Sequence, residues 1–217
     1  MDSILTQLAD TDELIISDDN STDNTCAIIS AYNDQRIKLL HHTPKENEPH
    51  KRIVLNMEHA LLTARGDFIF LADQDDVWRP DKKVICLKVL TKSDLVLSNC
   101  EIINEEGKQI YPSYFQLRPP AQNMLGMLAV NPFMGCCMAF RREVLNKALP
   151  FPKGIPMYDW WIGLVAKKYF QVEILPLPLV YYRRHGGNKS TTTGRSNMSI
   201  ISQAFIRIKL AFALLKK

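Results

Sequence analysis

The sequence is poor in several features that would announce a common protein class. Its five cysteines, Cys26, Cys86, Cys100, Cys136 and Cys137, are odd in number, and none forms a Cys-x-x-Cys pair. That excludes a disulfide framework and a zinc ribbon, and it reads as reduced thiols in a cytoplasmic protein. There is no run of eighteen apolar residues, so no segment is expected to span a bilayer. The opening residues Met1 to Leu5 lack the basic and apolar blocks of a secretory signal. Glycine is sparse, nine in 217 residues, and no glycine-rich phosphate loop stands near the start, which argues against a nucleotidyltransferase. Charge of one sign is also lacking: 27 Lys and Arg against 23 Asp and Glu leave +4, too little to point to nucleic acid. No repeat or low-complexity block is visible. What remains is ordinary globular material, 46% hydrophobic and 23% charged, with length enough for a full core in one domain.

Short apolar runs alternate with amphipathic stretches in the first half. Leu14-Ile15-Ile16 predicts a buried strand, followed by a helix over about Asp23 to Tyr32 with Ala27, Ile28 and Ala31 inward. Arg36 to Leu40 predicts a strand, His41 to His50 a loop, and Ile53 to Ala64 a helix. Phe68 to Leu71 predicts a strand, Pro80 to about Leu90 a helix with proline early in its first turn, and Leu95 to Leu97 a strand. This order implies parallel pairing with helices covering the sheet, an α/β fold. Later, Gly135 to Phe140 reads as a strand and Glu143 to Ala148 as a helix. Tyr158 to Tyr169 follows as a helix, Val172 to Leu175 as a strand and Leu179 to Tyr182 as an edge strand. Gly186 to Asn197 reads as a mobile linker.

Two acidic clusters directly follow predicted strands: Asp18-Asp19 and Asp73-Gln74-Asp75-Asp76. In a parallel α/β sheet ligands bind beyond the carboxyl ends of the strands, and clustered carboxylates repel unless a cation relieves them. Extended chain alternates its side chains, so Asp73 and Asp75 should share one side, with Asp76 on the other. Two such oxygens are a partial shell for Mg²⁺ or Mn²⁺. A calcium-binding EF-hand loop is excluded, because the sixth position from Asp73 is Trp78 rather than glycine. The same residues also suit plainer roles: Asp18 to Asp23 as a helix cap, Asp73 to Asp76 as a solvated turn, Asp159 as a cap with Trp160 and Trp161 in the core.

The stretches Leu14-Ile15-Ile16-Ser17-Asp18-Asp19-Asn20-Ser21-Thr22-Asp23 and Ala64-Arg65-Gly66-Asp67-Phe68-Ile69-Phe70-Leu71-Ala72-Asp73-Gln74-Asp75-Asp76-Val77-Trp78 resemble the family-two glycosyltransferases of GT-A fold. The Asp-Gln-Asp-Asp-Val-Trp form, with Tyr158-Asp159-Trp160-Trp161 and Tyr182-Arg183-Arg184-His185-Gly186, is most similar to the rhamnosyltransferase-type branch. The likeness implies a mostly parallel, Rossmann-like GT-A domain over 1–190, with 191–217 as linker and amphipathic basic helix. It implies inverting transfer from a nucleotide-diphosphate sugar to a glycan or lipid-linked acceptor in surface polysaccharide synthesis, without nucleic acid. Asp18 and Asp19 would contact the base, with Ser21 nearby, and Asp73 the ribose or the metal. Asp75, with Asp76, would hold Mg²⁺ or Mn²⁺ on the diphosphate. Arg183 and His185 would complete that site, unless they form a solvated basic edge, and Asp159 would be the general base. Independently, the two tryptophans beside Asp159 would desolvate it, raise its basicity, and offer aromatic faces to a sugar ring.

Members of that family usually carry an apolar strand ahead of a helix similar to Asp2-Ser3-Ile4-Leu5-Thr6-Gln7, and this chain starts inside that helix. Hence a second expectation stands beside the enzyme: a truncated, non-catalytic remnant of the same fold. Glu46 to Arg52 replaces a glycine the family has before Asn56. Gln-x-x-Arg-Trp, the mark of processive synthases, is absent, which favours single additions. The tail 199–217 places Ile201, Ala204, Phe205, Ile208, Phe212 and Leu215 on one face. It suits either the inner face of an anionic membrane or packing on the domain or a partner.

Overall fold

The computed structural model describes residues 1–43, 46–185 and 199–217. The expected linker at 186–197 and Pro44 of the expected loop lie outside the described residues. Helix α1 (Asp2–Leu5) precedes β1 (Leu14–Asp18), α2 (Thr25–Ala31), β2 (Ile37–His41) and α3 (Pro49–Thr63). Then come β3 (Phe68–Phe70), β4 (Val77–Trp78), α4 (Lys82–Val89), β5 (Leu95–Ile103) and β6 (Gln109–Tyr111). The second half holds α5 (Tyr114–Leu117), α6 (Met124–Ala129), a 3-10 turn at Gly135–Cys137, β7 (Met138–Arg141), α7 (Arg142–Ala148), α8 (Tyr158–Tyr169), β8 (Val172–Arg183) and α9 (Ile200–Lys216).

The α/β class and the alternation of strand and helix match the sequence reading. The pairing is mixed rather than mostly parallel. β1 pairs with β2 in parallel, and β5 with β8, whereas β3–β7, β5–β7, β4–β8 and β5–β6 are antiparallel. Two of the antiparallel pairs arise because β7 inserts between β3 and β5 from the second half of the chain. Two shorter expectations change as well. Pro49 starts α3 at its first turn, where its missing N–H has no partner to lose, so the helix begins before Ile53. Leu179 to Tyr182 is not an edge. It belongs to one twelve-residue strand that crosses Pro176 and Pro178 and lies between β5 and β4. The two prolines coincide with shifts in the β5–β8 register, as expected where a ladder donor is missing.

The core gathers around β5, β7 and α8. Leu95, Leu97, Met138, Phe140, Trp161, Ile162 and Leu164 are fully buried, and Trp161 Nε1 donates to Ala148 O at 3.0 Å. By contrast α2 buries Ile29 and leaves Ile28 exposed, the reverse of the expected face. Helix α9 docks by Leu210 and Leu214 and leaves Ile201, Phe205, Ile208, Phe212 and Leu215 exposed.

Candidate active site

The two acidic clusters stand at the ends of β1 and β3, and one cleft of about 1360 Å³ reaches both. Ser17 and Asp19 line it at one end, and Asp73, Gln74, Asp76 and Tyr158 at the other. Asp18, Asp75, Asp159, Arg183 and His185 are not on its wall.

At the β1 end the carboxylates are held by neighbours. Asp18 is buried and accepts from Ser21 N–H at 3.0 Å; hydrogen bonds from Ser21 hold its carboxyl below the usual range. Asp19 Oδ1 lies 2.8 Å from His42 Nδ1, and Arg52 Nε donates to its Oδ2 at 2.9 Å. Asn20 takes a positive φ of 64°, which asparagine tolerates, and this turn separates β1 from α2. From α3, Asn56 Nδ2 donates to Ser17 O at 2.8 Å.

At the β3 end a turn at Gln74–Asp75 interrupts the extended chain. The turn overrides the expected alternation. Asp76 swings back towards Asp73, and the two carboxylates with Cys136 Sγ lie within 4.8 Å of one another. Asp75 faces His185 instead, Oδ2 to Nε2 at 2.9 Å. Arg183 acts as a clamp rather than a free cation: its N–H donates to Asp76 Oδ1 at 2.9 Å, and its guanidinium donates to the carbonyls of Asp75, Asn104 and Glu105.

Burial raises three carboxyls here. Asp73 is pushed up to about 6 by desolvation and by Asp75. Asp76 rises to about 7 by desolvation, against the pull of Cys136 and of the Arg183 N–H. Asp159 rises to about 7 by desolvation, with the Trp160 N–H opposing and Asp73 adding to it. Asp159 Oδ1 accepts from Trp160 N at 2.6 Å and from Asn131 Nδ2 at 3.3 Å. The desolvation expected beside the tryptophans is present, but the sugar-stacking role is not. Trp161 is fully buried and Trp160 nearly so, with its Nε1 bound to Met127 O, so neither ring face is open to a ligand.

Two residues of this region escaped the sequence reading. The sequence places Cys136 in a strand, where neighbouring side chains alternate; a 3-10 turn at Gly135–Cys137 replaces that strand, and the sulfurs of Cys136 and Cys137 are 3.9 Å apart. Lys82 is fully buried, donates to Cys136 O at 2.6 Å, and places Nζ 4.1 Å from the centre of the Trp78 ring. Its charge is an electrostatic neighbour of Asp73 and Asp76. No sequence signal marked it, since a lysine on a short amphipathic helix reads as solvated.

A cation fits this group on one observation. Asp76 Oδ2 is buried and has no hydrogen-bond partner among the described residues, a costly state for a carboxylate. Asp73 and Asp76 supply hard oxygen donors suited to Mg²⁺ or Mn²⁺. The hydrogen bond with the Cys137 thiol, and burial after it, keep Cys136 well above its usual range, so the sulfur stays protonated.

The family model described as glycosyl transferase family 2 matches residues 1–149. An uncharacterised glycosyltransferase of Nostoc is 26% identical over 96% of this chain and 67% of its own length. The Escherichia coli UDP-Glc:alpha-D-GlcNAc-diphosphoundecaprenol beta-1,3-glucosyltransferase WfgD is 32% identical over 73% of this chain and 60% of its own. Among solved structures, Staphylococcus aureus TarS 1-349 in complex with UDP-GlcNAc superposes with a TM-score of 0.72 at 20% identity, covering 99% of this chain and 61% of TarS. The chain thus spans about two thirds or less of the length of these relatives. The family match covers well over half of the chain, and the superposition shows a GT-A fold: the chain belongs to glycosyl transferase family 2.

Proposed function

We propose that the chain moves a sugar from a nucleoside-diphosphate sugar to a hydroxyl of a glycan or lipid-linked acceptor in surface polysaccharide synthesis, with inversion at the anomeric carbon. The observation that carries this reading is the buried, unpartnered Asp76 Oδ2 beside Asp73, at one end of a cleft whose other end is Asp19. Asp73 and Asp76 would hold Mg²⁺ or Mn²⁺, with Asp75 fixed behind them by His185. The ion would neutralise charge growing on the leaving diphosphate. Ser17, Asp19 and the Asp18–Ser21 turn would receive the nucleoside, since they line or support the far end of the cleft.

Asp159 would take the proton from the acceptor hydroxyl as that oxygen attacks the anomeric carbon and the bond to the diphosphate breaks. A carboxyl raised to about 7 is a stronger base than an ordinary one and is still substantially ionised near neutrality. The exposed apolar stripe of α9, with Lys209 and Lys216 exposed and no acidic residue in 199–217, supports peripheral contact with the inner face of a membrane bearing lipid-linked acceptors.

The test is calorimetry with UDP, TDP and GDP, each with and without Mn²⁺. Binding that requires the ion and is lost in Asp76→Asn is the expected result. Binding unaffected by Asp76→Asn overturns the assignment of the cation. A second reading, a non-catalytic chain of the same fold, is favoured by the break in the sheet between β1 and β3; absence of binding to all three nucleotides would support it.

A further inference from the structure

Lys82 is a buried charge to which the proposed reaction gives no role. It is the first residue of α4 and fully buried, and among the described residues no other lysine or arginine is buried. An ammonium taken out of water is costly unless an opposite charge pairs with it. Lys82 gives its hydrogen bond to a neutral group instead: Nζ donates to Cys136 O at 2.6 Å, and the centre of the Trp78 ring lies 4.1 Å away. The opposite charge lies past Cys136, whose Sγ is within 4.8 Å of carboxylate oxygens of Asp73 and Asp76. Burial raises Asp73, and the ammonium opposes that rise; burial lowers Lys82, and Asp76 opposes that fall. Yet Asp76 Oδ2 has no hydrogen-bond partner among the described residues. The 3-10 turn at Gly135–Cys137 therefore acts as a spacer. It holds a cation beside the acidic pair without letting it close on the oxygen that a ligand would use.

We infer that Lys82 is a positioning residue that couples the ion to the diphosphate: its charge makes Asp73 and Asp76 a poor site for a bare divalent cation and a good one for a cation joined by a diphosphate. The inference rests on the cation assignment proposed above. The charge balance gives the reason. Two ionised carboxylates outweigh one ammonium by a single negative charge. A divalent ion overshoots that balance and leaves the buried group positive, and a diphosphate then relieves the excess. With a neutral residue at position 82, the ion alone would balance the carboxylates and leave no excess to draw the diphosphate. Burial gives the lysine this influence, because water does not screen it. The other cations nearby, Arg183 and His185, are half-buried; Arg183 is engaged with carbonyls and His185 with Asp75. Coupling of this kind is reciprocal, so the nucleotide must tighten the ion by the factor by which the ion tightens the nucleotide.

The experiment measures Mn²⁺ binding to the full chain at pH 8 by calorimetry, first alone and then with UDP, TDP or GDP at saturation. The proteins are the parent, Lys82→Gln, Lys82→Met and Asp76→Asn. Glutamine keeps an N–H donor and removes the charge; methionine removes both. The expected result is that both neutral variants bind bare Mn²⁺ at least about tenfold more tightly than the parent, while the factor by which the nucleotide tightens Mn²⁺ falls by a similar amount. A merely structural lysine predicts another pattern, with Lys82→Gln close to the parent and only Lys82→Met changed, and that pattern overturns the proposal. Weaker binding of bare Mn²⁺ in Lys82→Gln overturns it as well. Should Lys82→Met fail to fold, Lys82→Gln decides alone. The parent supplies a check that needs no variant: Mn²⁺ and nucleotide binding independently of each other overturns the coupling. Mn²⁺ binding that survives Asp76→Asn, or is absent from the parent, removes the cation assignment and this inference together. Binding lost in Asp76→Asn but unchanged in Lys82→Gln removes this inference alone.

Discussion

Tyr158 and Asp73 meet at the wall of the cleft, the phenol donating to Asp73 Oδ1 over 3.5 Å. Tyr158 begins α8 and Asp73 follows β3, so this contact ties the helix carrying Asp159 to the strand end carrying the acidic turn. The phenol is buried and held well above its usual range, by burial first and by Asp73 and Asp159 next, so it stays a donor. Three raised carboxyls, Asp73, Asp76 and Asp159, are thereby gathered around one edge of the fold.

That gathering dictates how stability varies with pH. Each of the three binds its proton more tightly in the folded state than in the unfolded chain, where a carboxyl titrates near 4. Their contribution is complete below about pH 4 and is lost as pH rises through the folded values of about 6 to 7. Without divalent ions, the thermal midpoint should be several degrees lower at pH 8 than at pH 5. Mn²⁺ at pH 8 should restore it, because the ionised pair Asp73 and Asp76 would then be neutralised. Asp159→Asn should flatten part of the slope. A midpoint that climbs from pH 5 to pH 8 in chelator would contradict this arrangement.

The same residue makes a kinetic prediction. If Asp159 accepts the acceptor's proton, Asp159→Asn should lower kcat by about 10²–10⁴ while nucleotide affinity changes by less than threefold. In the parent protein the rate should rise with pH through about 7, the opposite trend to stability. Parallel loss of nucleotide binding in the variant would remove Asp159 from the role of base.

Much of this was legible in the sequence, and the exceptions share a cause. Short apolar runs located β1, β2, β3 and β5, those of β1 and β3 ended by acidic turns, because strands covered by helices carry a hydrophobic signature. Asp73, Asp75 and Asp76 read as possible ligands, with Asp73 and Asp75 expected to share one side; the geometry that pairs Asp73 with Asp76 instead was not legible. The turn at Gln74–Asp75 sets it, and that turn depends on Arg183 reaching from β8 to hold Asp76 and the Asp75 carbonyl. Likewise β8 was read as two pieces because Pro176 and Pro178 break the local strand signal. Its continuity comes from long pairing with β5, a tertiary effect. Cys136 and Lys82 became part of the site only through packing between α4 and the 3-10 turn.

Gly135 tests how tightly that turn is packed. A Cβ at Gly135 would sit 2.5 Å from Tyr158 Oη and 3.1 Å from its ring. Gly135→Ala should therefore push the phenol from Asp73 and destabilise by about 1–3 kcal/mol. The neighbouring case touches Asp159 rather than Asp73: at Gly163 a Cβ would lie 2.4 Å from the ring of Phe133, whose N–H donates to Asn131, the partner of Asp159. Urea unfolding should show both losses, whereas nucleotide calorimetry should move in Gly135→Ala and stay close to the parent in Gly163→Ala. Equal stability of Gly135→Ala and the parent would mean the turn is loose.

Helix α9 tests the membrane reading. Ile201, Phe205, Ile208, Phe212 and Leu215 recur at steps of four and three and are 53–84% exposed, while Leu210 and Leu214 fix the helix to the domain through the opposite stripe. Arg207 and Lys217 are tied to the carbonyls of Ala129 and Leu149, which leaves Lys209 and Lys216 exposed beside the apolar stripe. Such a face attracts an anionic surface and repels a second copy of itself. The protein should float with anionic vesicles and not with zwitterionic ones, and recovery should fall at high salt. Phe205→Ser with Phe212→Ser removes two exposed rings without touching the docking stripe. Since burying each ring is worth about 1.5–3 kcal/mol, the double variant should partition at least about tenfold less. Equal recovery of parent and variant would assign the stripe to a protein partner instead, whose contact the phenylalanines do not dominate.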